Sequence, residues 1–326
     1  VTGVQTCALP IYSTEVRRGR PVGVTRMGEK LVAWRDSQGK VTVMHDKCAH
    51  RGVALSVGEV HGDCIWCPFH GFEFDAGGRC TVIPANGKDV PVPKAFKVQA
   101  YPTHEMHGLI FIYWGEPEGE VAPPRWFEDL GDGFSYGSAR DPWRAHYSRV
   151  VENQLDVPHV PFIHHNTIGR GGRTVMDGPW VQWQDPDRFF VRTGMRHEDG
   201  TPARSANEMD PPDKPYHLEF IFPNLWQNWI SEKVRVVAAF APVDDENTVL
   251  YLRFYQNFMR TPGLRSLINW SAMIFNTVVA HQDRRVVVTQ RPRRSDLKIG
   301  EKLIPGDAPV IAYRRRRQEL IEATQG

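Results

Sequence analysis

Between Val22 and Gly115 apolar and polar positions change places in short bursts. The stretches KLVAWRD, KVTVMHD, CTVIPA, FKVQAYP and LIFIYWG alternate or run apolar for a few residues, as half-buried or buried strands do. SQGK, DAGG and ANGKD separate them, with the glycine and polar residues of tight turns. Many short strands in so short a segment predict a small all-β domain. GEPEGEVAPP (115–124) is polar and rich in proline and acid, and reads as a linker. The second half mixes periods. RVVENQLD (149–156) is helical in spacing and leads into VPHVPFIHHN. DRFFVRTGMR, YHLEFIFP, KVRVVAAFAPV and NTVLYLRFYQNF follow as longer strands, then SLINWSAMIFNTVVAHQDRRVVVTQ (266–290) as a long helix. This order predicts an α+β domain in which an antiparallel sheet grips a helix. The polar, proline-rich DGTPARSANEMDPPDKP (199–215) is a loop or a lid over a site. The expected boundaries are 12–118 for the first domain and 119–326 for the second.

Composition adds mainly exclusions. Of 326 residues, 41% are hydrophobic and 24% charged, and the formal net charge is +2. That balance points to neither a nucleic-acid partner nor an acidic tail. The longest apolar runs fall short of the ~20 residues of a membrane helix, so no membrane partner is expected. VTGVQTCALPI (1–11) lacks the basic start of a signal peptide. It matches the translation of a sequencing-library adapter and is set aside as an assembly scar, with the native start expected upstream. Leaving out Cys7, the cysteines are Cys48, Cys64, Cys67 and Cys80. Without a secretion signal they suit metal binding in a reducing, cytoplasmic compartment.

The densest chemistry lies in CAHRGVALSVGEVHGDCIWCPFHG (48–71). Cys48-x-His50 and Cys67-x-x-His70 offer one thiolate and one imidazole from each of two loops. A [2Fe–2S] cluster with two thiolates on one iron and two imidazoles on the other takes that set. Gly52 and Gly71 let the loops turn tightly, and Pro68 stiffens the second. A zinc site from Cys48, His50, Cys64 and Cys67 is the alternative, since Cys64-x-x-Cys67 has zinc-knuckle spacing. Cys64 and Cys80 otherwise read as small buried apolar residues. A second constellation is Asp156-x-x-His159-x-x-x-x-His164. Two neutral imidazoles and a carboxylate with open positions opposite make a non-haem Fe(II) site that binds O₂. Pro158 and Pro161 must bend or end the helix there. The alternative is a set of surface or packing histidines.

CAHRG and CPFHG resemble the two cluster loops of a Rieske domain. Val53 and Phe69 stand where cytochrome-complex Rieske proteins carry further cysteines, so the resemblance is to the oxygenase and ferredoxin branch. ENQLDVPHVPFIHH resembles the mononuclear-iron motif of the Rieske non-haem iron oxygenases, the aromatic-ring-hydroxylating family. The resemblance implies a terminal oxygenase component with a Rieske cluster, a mononuclear Fe(II), and O₂ as co-substrate. It implies His159 and His164, not His165, as iron ligands, with Asp283 on the long C-terminal helix as the third. Asp156 would instead bridge His159 to the cluster histidine His70 of a neighbouring copy, and Asn153 would line the same site. It further implies a head-to-tail homotrimer, and electrons from a ferredoxin or flavin reductase fed by NAD(P)H. The product would be hydroxylated, dihydroxylated or demethylated. Two other readings stand beside it: a Rieske electron carrier without oxygenase activity, and a zinc-stabilised binding module. FPNLWQNWIS (222–231) is a candidate pocket wall, because its aromatics suit a flat ligand. AYRRRRQELIEA (312–323) is read as a solvated face or, through Arg314 to Arg317, as a docking patch for an acidic ferredoxin.

Overall fold

Residues 11–115, 119–131, 133–208, 210–211 and 217–323 are described by a computed structural model. The adapter-like stretch to residue 10, with Cys7, lies outside the described residues, as do 116–118 of the linker and residues 209 and 212–215 of the proline-rich segment. Ile11, grouped with the adapter on sequence, is buried and pairs with Ile110. The chain divides into two units, one reaching residue 124 and including 241–244, the other covering 125–240 and 245 onward.

Among the described residues the N-terminal unit holds three small antiparallel sheets. Ile11–Tyr12, Leu109–Ile112 and Thr103–Met106 form one. Val22–Arg26, Glu29–Arg35, Val41–His45 and Ala100–Tyr101 form the next, and Glu59–His61, Cys64–Trp66, Glu73–Asp75 and Cys80–Val82 the third. The strand Glu29–Arg35 shows how the period of two builds this unit. Val32 and Trp34 point into one apolar cluster, Leu31 and Ala33 into another on the opposite face. The first cluster also contains Cys48, Cys67 and Phe72, so the two predicted metal loops rest on a packed core.

The C-terminal unit is a seven-stranded antiparallel sheet. Its spatial order is Ser135–Trp143, Thr248–Gln256, Val234–Pro242, Leu225–Ser231, Leu218–Ile221, Arg188–Arg196, Val175–Asp185. Among the described residues four helices accompany it: α1 (Tyr147–Leu155), α2 (Val160–Ile163), α3 (Pro262–Val287) and α4 (Ala308–Glu322). Met273, Ala280 and Val287 of α3 pack in one core with Leu250 and Leu252 of the sheet. Gly137 lets α3 close on the edge strand: a Cβ there would stand 2.5 Å from the Asn269 carbonyl oxygen. The α+β expectation is borne out. Among the described residues no helix is long and apolar enough to cross a membrane.

The basic run on α4 is neither a solvated face nor a docking patch. Val310, Tyr313, Arg314 and Arg317 are all buried, at the spacing of one inward helix face. Arg314 binds both carboxylate oxygens of Glu152, at 2.7 and 2.9 Å, and donates to Glu301 at 2.7 Å. Arg149 reaches the same two glutamates. Arg317 donates to Tyr147 Oη and to the Ser295 carbonyl. Only Arg315 of the four is exposed.

His146 caps α1 with its imidazole, Nδ1 accepting from the Ser148 backbone N–H at 3.2 Å. Burial, with Arg317 and Arg294 nearby, pushes it down from 6.5 to about 4. The unfolded chain therefore takes up this proton first, so stability present above pH ~6.5 is lost as pH falls towards 4, by about 3 kcal/mol in all. His146→Asn keeps an acceptor at the cap without the titration. Urea midpoints between pH 7 and 4 should fall less steeply for this variant; parallel curves would reject the assignment.

Candidate metal centres

The two cluster loops are built alike. The Cys48 N–H donates to the Val53 carbonyl at 2.8 Å, and the Gly52 N–H returns to the Cys48 carbonyl at 3.0 Å. In the second loop the Cys67 N–H donates to Phe72 at 2.8 Å and the Gly71 N–H returns to Cys67 at 2.9 Å. Both turns need a left-handed residue, and Gly52 (φ +75°) and Gly71 (φ +73°) supply it. The result sets like against like. The His50 and His70 rings lie 4.7 Å apart and both are exposed, while the Cys48 and Cys67 thiols are buried beside each other. Burial and the Cys67 thiol push Cys48 up to about 11, against the backbone N–H groups of His50 and Arg51. Two adjoining thiols and two adjoining imidazoles fit a two-iron cluster, whose positive iron would hold the thiols ionised. Cys64 is half-buried with Sγ 3.8 Å from Thr81 Oγ1, and Cys80 lies in the core donating to the Val82 carbonyl. The paired loops thus use Cys48, His50, Cys67 and His70 and leave Cys64 on its strand.

In the C-terminal unit α1 stops at Leu155, and Asp156 is already extended (φ −78°, ψ 115°). Pro158 follows two residues on; it has no N–H for a further helical bond and disfavours helical backbone at Val157. His159 then opens the single turn α2 and His164 closes it, with Ile163 N–H bonded to the His159 carbonyl and His164 N–H to Val160. On one straight helix this spacing would leave the two side chains about 140° apart. Bracketing a lone turn, their rings lie 5.2 Å apart and nearly edge to face. The neighbouring His165 is exposed and bonded to the Phe162 carbonyl.

Asp283 arrives from α3 and is 3% exposed. Its Oδ1 lies 2.9 Å from His164 Nε2 and 3.3 Å from His159 Nε2, and the three ligand-type atoms all fall within 4.8 Å of one another. His164 Nδ1 lies 2.8 Å from Gln282 Oε1. An amide oxygen only accepts, so that proton sits on Nδ1 and the Nε2 lone pair faces Asp283. Gln282 Oε1 also accepts from Thr167 Oγ1, and its amide nitrogen donates to Asn166 Oδ1. Asp283 Oδ1 is buried without a hydrogen bond, its contacts being close but wrongly directed. Burial lowers His159, but Asp156, 3.6 Å away, and Asp283 outweigh it and raise the ring to about 9. For Asp283, burial pushes upward, and the two imidazoles still bring it below the ordinary carboxylate value. A proton on His159 thus balances the carboxylates; a divalent cation held by two nitrogen lone pairs and Oδ1 would do the same. The donor set fits non-haem iron.

A cavity of about 580 Å³ opens on this trio. Leu250, Leu252 and Phe254 of the sheet and Phe275 and Val279 of α3 give it apolar walls. Trp226, Asn228, Trp229 and Ile230, from the aromatic stretch singled out on sequence, line it too, as do Asn153 and Asp156.

Residues 8–102 match the Rieske [2Fe-2S] domain, and residues 143–323 match the vanillate O-demethylase oxygenase C-terminal domain. The oxygenase component of 3-ketosteroid-9-alpha-monooxygenase from Rhodococcus rhodochrous is 33% identical over 164 residues, 47% of this chain and 41% of that protein. The iron-sulfur subunit TsaM1 of the toluene-4-sulfonate monooxygenase system of Comamonas testosteroni is 32% identical over 44% of this chain and 42% of its own length. The alignments therefore span less than half of either relative. Among solved structures, Pseudomonas putida NdmA with caffeine covers 98% of this chain and 91% of its own, at 23% identity and TM-score 0.75. Dicamba monooxygenase bound to dicamba covers 97% of both chains, at 20% identity and TM-score 0.69. At these identities the structural likeness is one of fold.

Proposed function

The chain belongs to the Rieske oxygenases with a vanillate O-demethylase-type C-terminal domain, and from that premise we propose that it is a terminal oxygenase acting on an aromatic or polycyclic small molecule. The observation that carries this reading is the trio His159, His164 and Asp283, the last two buried, opening on a largely apolar cavity. An electron carrier has no use for such a cavity, and a zinc-stabilised module has none for paired thiols and paired imidazoles. Cys48 and Cys67 would hold one iron of the cluster, His50 and His70 the other, and His159, His164 and Asp283 the mononuclear Fe(II). Together these centres supply stored electrons and O₂ activation. The protein's own part is placement. Gln282 fixes the tautomer and tilt of His164, Asp156 accepts from the His159 backbone N–H and stands beside its ring, and the apolar walls order a ring and keep water from it. The outcome is hydroxylation, dihydroxylation or oxidative demethylation.

Electrons would come from a ferredoxin or flavin reductase fed by NAD(P)H. The Asp156 side chain is 35% exposed, which suits a hydrogen bond to the partner subunit's His70 in a head-to-tail homotrimer. The four described cysteines are free, as in a cytoplasmic protein. Metal analysis on anaerobically purified protein tests the reading. About three irons and about two acid-labile sulfides per chain, with a Rieske-type EPR signal after dithionite, are expected. Two irons with no further Fe(II) uptake would leave an electron carrier, and zinc without sulfide would overturn the reading.

A further inference from the structure

We infer that the turn at Gly306, just ahead of α4, braces the start of α2 from behind, so that Gly306 is a positioning residue for His159 and Asp156. The inference deepens the proposed function and rests on it for the metal these two residues serve. Pro158, which breaks the chain between Asp156 and His159, has its ring against Gly306. A Cβ on Gly306 would stand 2.9 Å from Pro158 Cγ and 2.8 Å from Met176 Cε. Packed side chains do not approach so closely, so only glycine lets the two segments meet. Gly306 is buried, and its φ is not positive, so no left-handed backbone calls for glycine here. The close approach alone calls for it.

The turn cannot back away from Pro158. Pro305–Asp307 closes on itself: the Asp307 N–H donates to the Ile304 carbonyl at 2.9 Å, and Asp307 Oδ2 accepts from the Ile304 N–H at 2.8 Å. α4 begins at the next residue and is anchored in the core by Val310 and Tyr313. Upstream, Glu301 is held by Arg149 of α1 and Arg314 of α4. Of the two atoms a methyl would meet, Met176 Cε ends a flexible chain, while Pro158 Cγ belongs to a ring closed on the backbone. A push on Pro158 passes to His159, whose N–H is bonded to Asp156 Oδ1 and whose carbonyl accepts from Phe162 and Ile163. His164 is tied to α3 by Gln282, and Asp283 belongs to α3. The push therefore moves His159 relative to the other two members of the trio.

Gly306→Ala supplies the push, and Met176→Ala supplies room to relieve it. Co(II), titrated into the full chain with its cluster intact and its mononuclear metal removed, reads affinity through its visible bands. Gly306→Ala should weaken Co(II) by about tenfold, as loss of a ligand's support does. The double variant should return to within about threefold of Met176→Ala alone. Val237→Ala truncates the core on the sheet face away from the cavity, since its neighbour Val236 lines it. It should lower the thermal midpoint at least as much as Gly306→Ala and leave Co(II) binding within about twofold. Hydrogen exchange in the metal-free chain reads the brace without any metal. The Phe162 and Ile163 N–H groups should exchange about tenfold faster in Gly306→Ala and recover in the double variant. Asp307→Ala opens the turn instead of crowding it, and should raise the same exchange by about threefold or more. Unchanged exchange in both Gly306→Ala and Asp307→Ala, no recovery on shortening Met176, or Co(II) affinity that merely follows the midpoint would overturn the inference. A wild-type chain that takes up the metal beside a flat variant profile sinks this inference alone. A wild-type chain that takes up neither Fe(II) nor Co(II), with the expected exchange pattern, sinks the oxygenase reading and leaves the brace in place.

Discussion

Asp283→Ala should leave the Rieske cluster intact and strip the mononuclear iron, taking substrate-dependent O₂ uptake below detection. The carboxylate is the only anionic member of the trio, and its Oδ1 is the atom both imidazole Nε2 atoms face. Without it a divalent cation would meet two neutral nitrogens in a buried pocket. Losing a hydrogen-bonding neighbour of a ligand already costs about 10–100-fold in metal affinity, so losing the ligand itself should cost more than about 100-fold. Gln282→Ala gives the graded comparison. It frees His164 Nδ1 and should weaken iron binding by about 10–100-fold while leaving the trio complete. The four cluster-loop residues belong to the other unit, so the low-temperature EPR signal of the reduced cluster should persist in both variants. Iron per chain and O₂ uptake, measured together, decide the matter. Full iron content in Asp283→Ala would remove this carboxylate from the site.

The second large effect is structural. Glu152→Ala should destabilise the C-terminal unit by about 3–5 kcal/mol, because it leaves two buried guanidinium groups facing a void. Arg149 and Arg314 each have side chains 2% exposed, and Glu152 is the buried acid they share. For a unit of this size that corresponds to a fall of roughly 10 °C in the thermal midpoint. Glu301 joins the same ring of charges from a side chain 29% exposed, where water can replace it, and Glu301→Ala should cost about 1 kcal/mol. Arg315→Glu, on the exposed side of α4, should change stability by no more than about 0.5 kcal/mol. Equal midpoints for Glu152→Ala and Arg315→Glu would show that the buried ring contributes nothing. Function is linked to this ring through α1, which carries Glu152 and ends one residue before Asp156. A loosened α1 should therefore lose iron at temperatures below its unfolding midpoint.

How much of this was legible before the structure depended on the range of the interaction. Four of the five inner strands of the seven-stranded sheet declared themselves, because a strand covered by protein shows its apolar pattern in one dimension, while Leu225–Ser231 read only as a pocket wall. The strands Ser135–Trp143 and Val175–Asp185 did not declare themselves. They are the two edges of the seven-stranded sheet, the first carrying Pro142 and a half-exposed face, the second broken by a bulge beside Pro179. Edge positions tolerate proline and solvent, so their pattern is weak. The arginines of α4 misled for the opposite reason. Charge suggests a wet surface, and only the presence of Glu152 and Glu301 from elsewhere makes burial possible.

The sequence by itself determined the donor types and the two loops that present Cys48, His50, Cys67 and His70, because each loop closes on its own backbone around a glycine. It also determined that the chain must break between Asp156 and His159, since Pro158 forbids a continuous helix. The resemblance named Asp283, but only the tertiary structure decided how its Oδ1 meets His159 and His164, that Gln282 locks His164, and that the cavity opens on this trio. Each of these joins residues far apart along the chain. Such a meeting is set by how α3 and seven strands pack, and no local period or spacing encodes it.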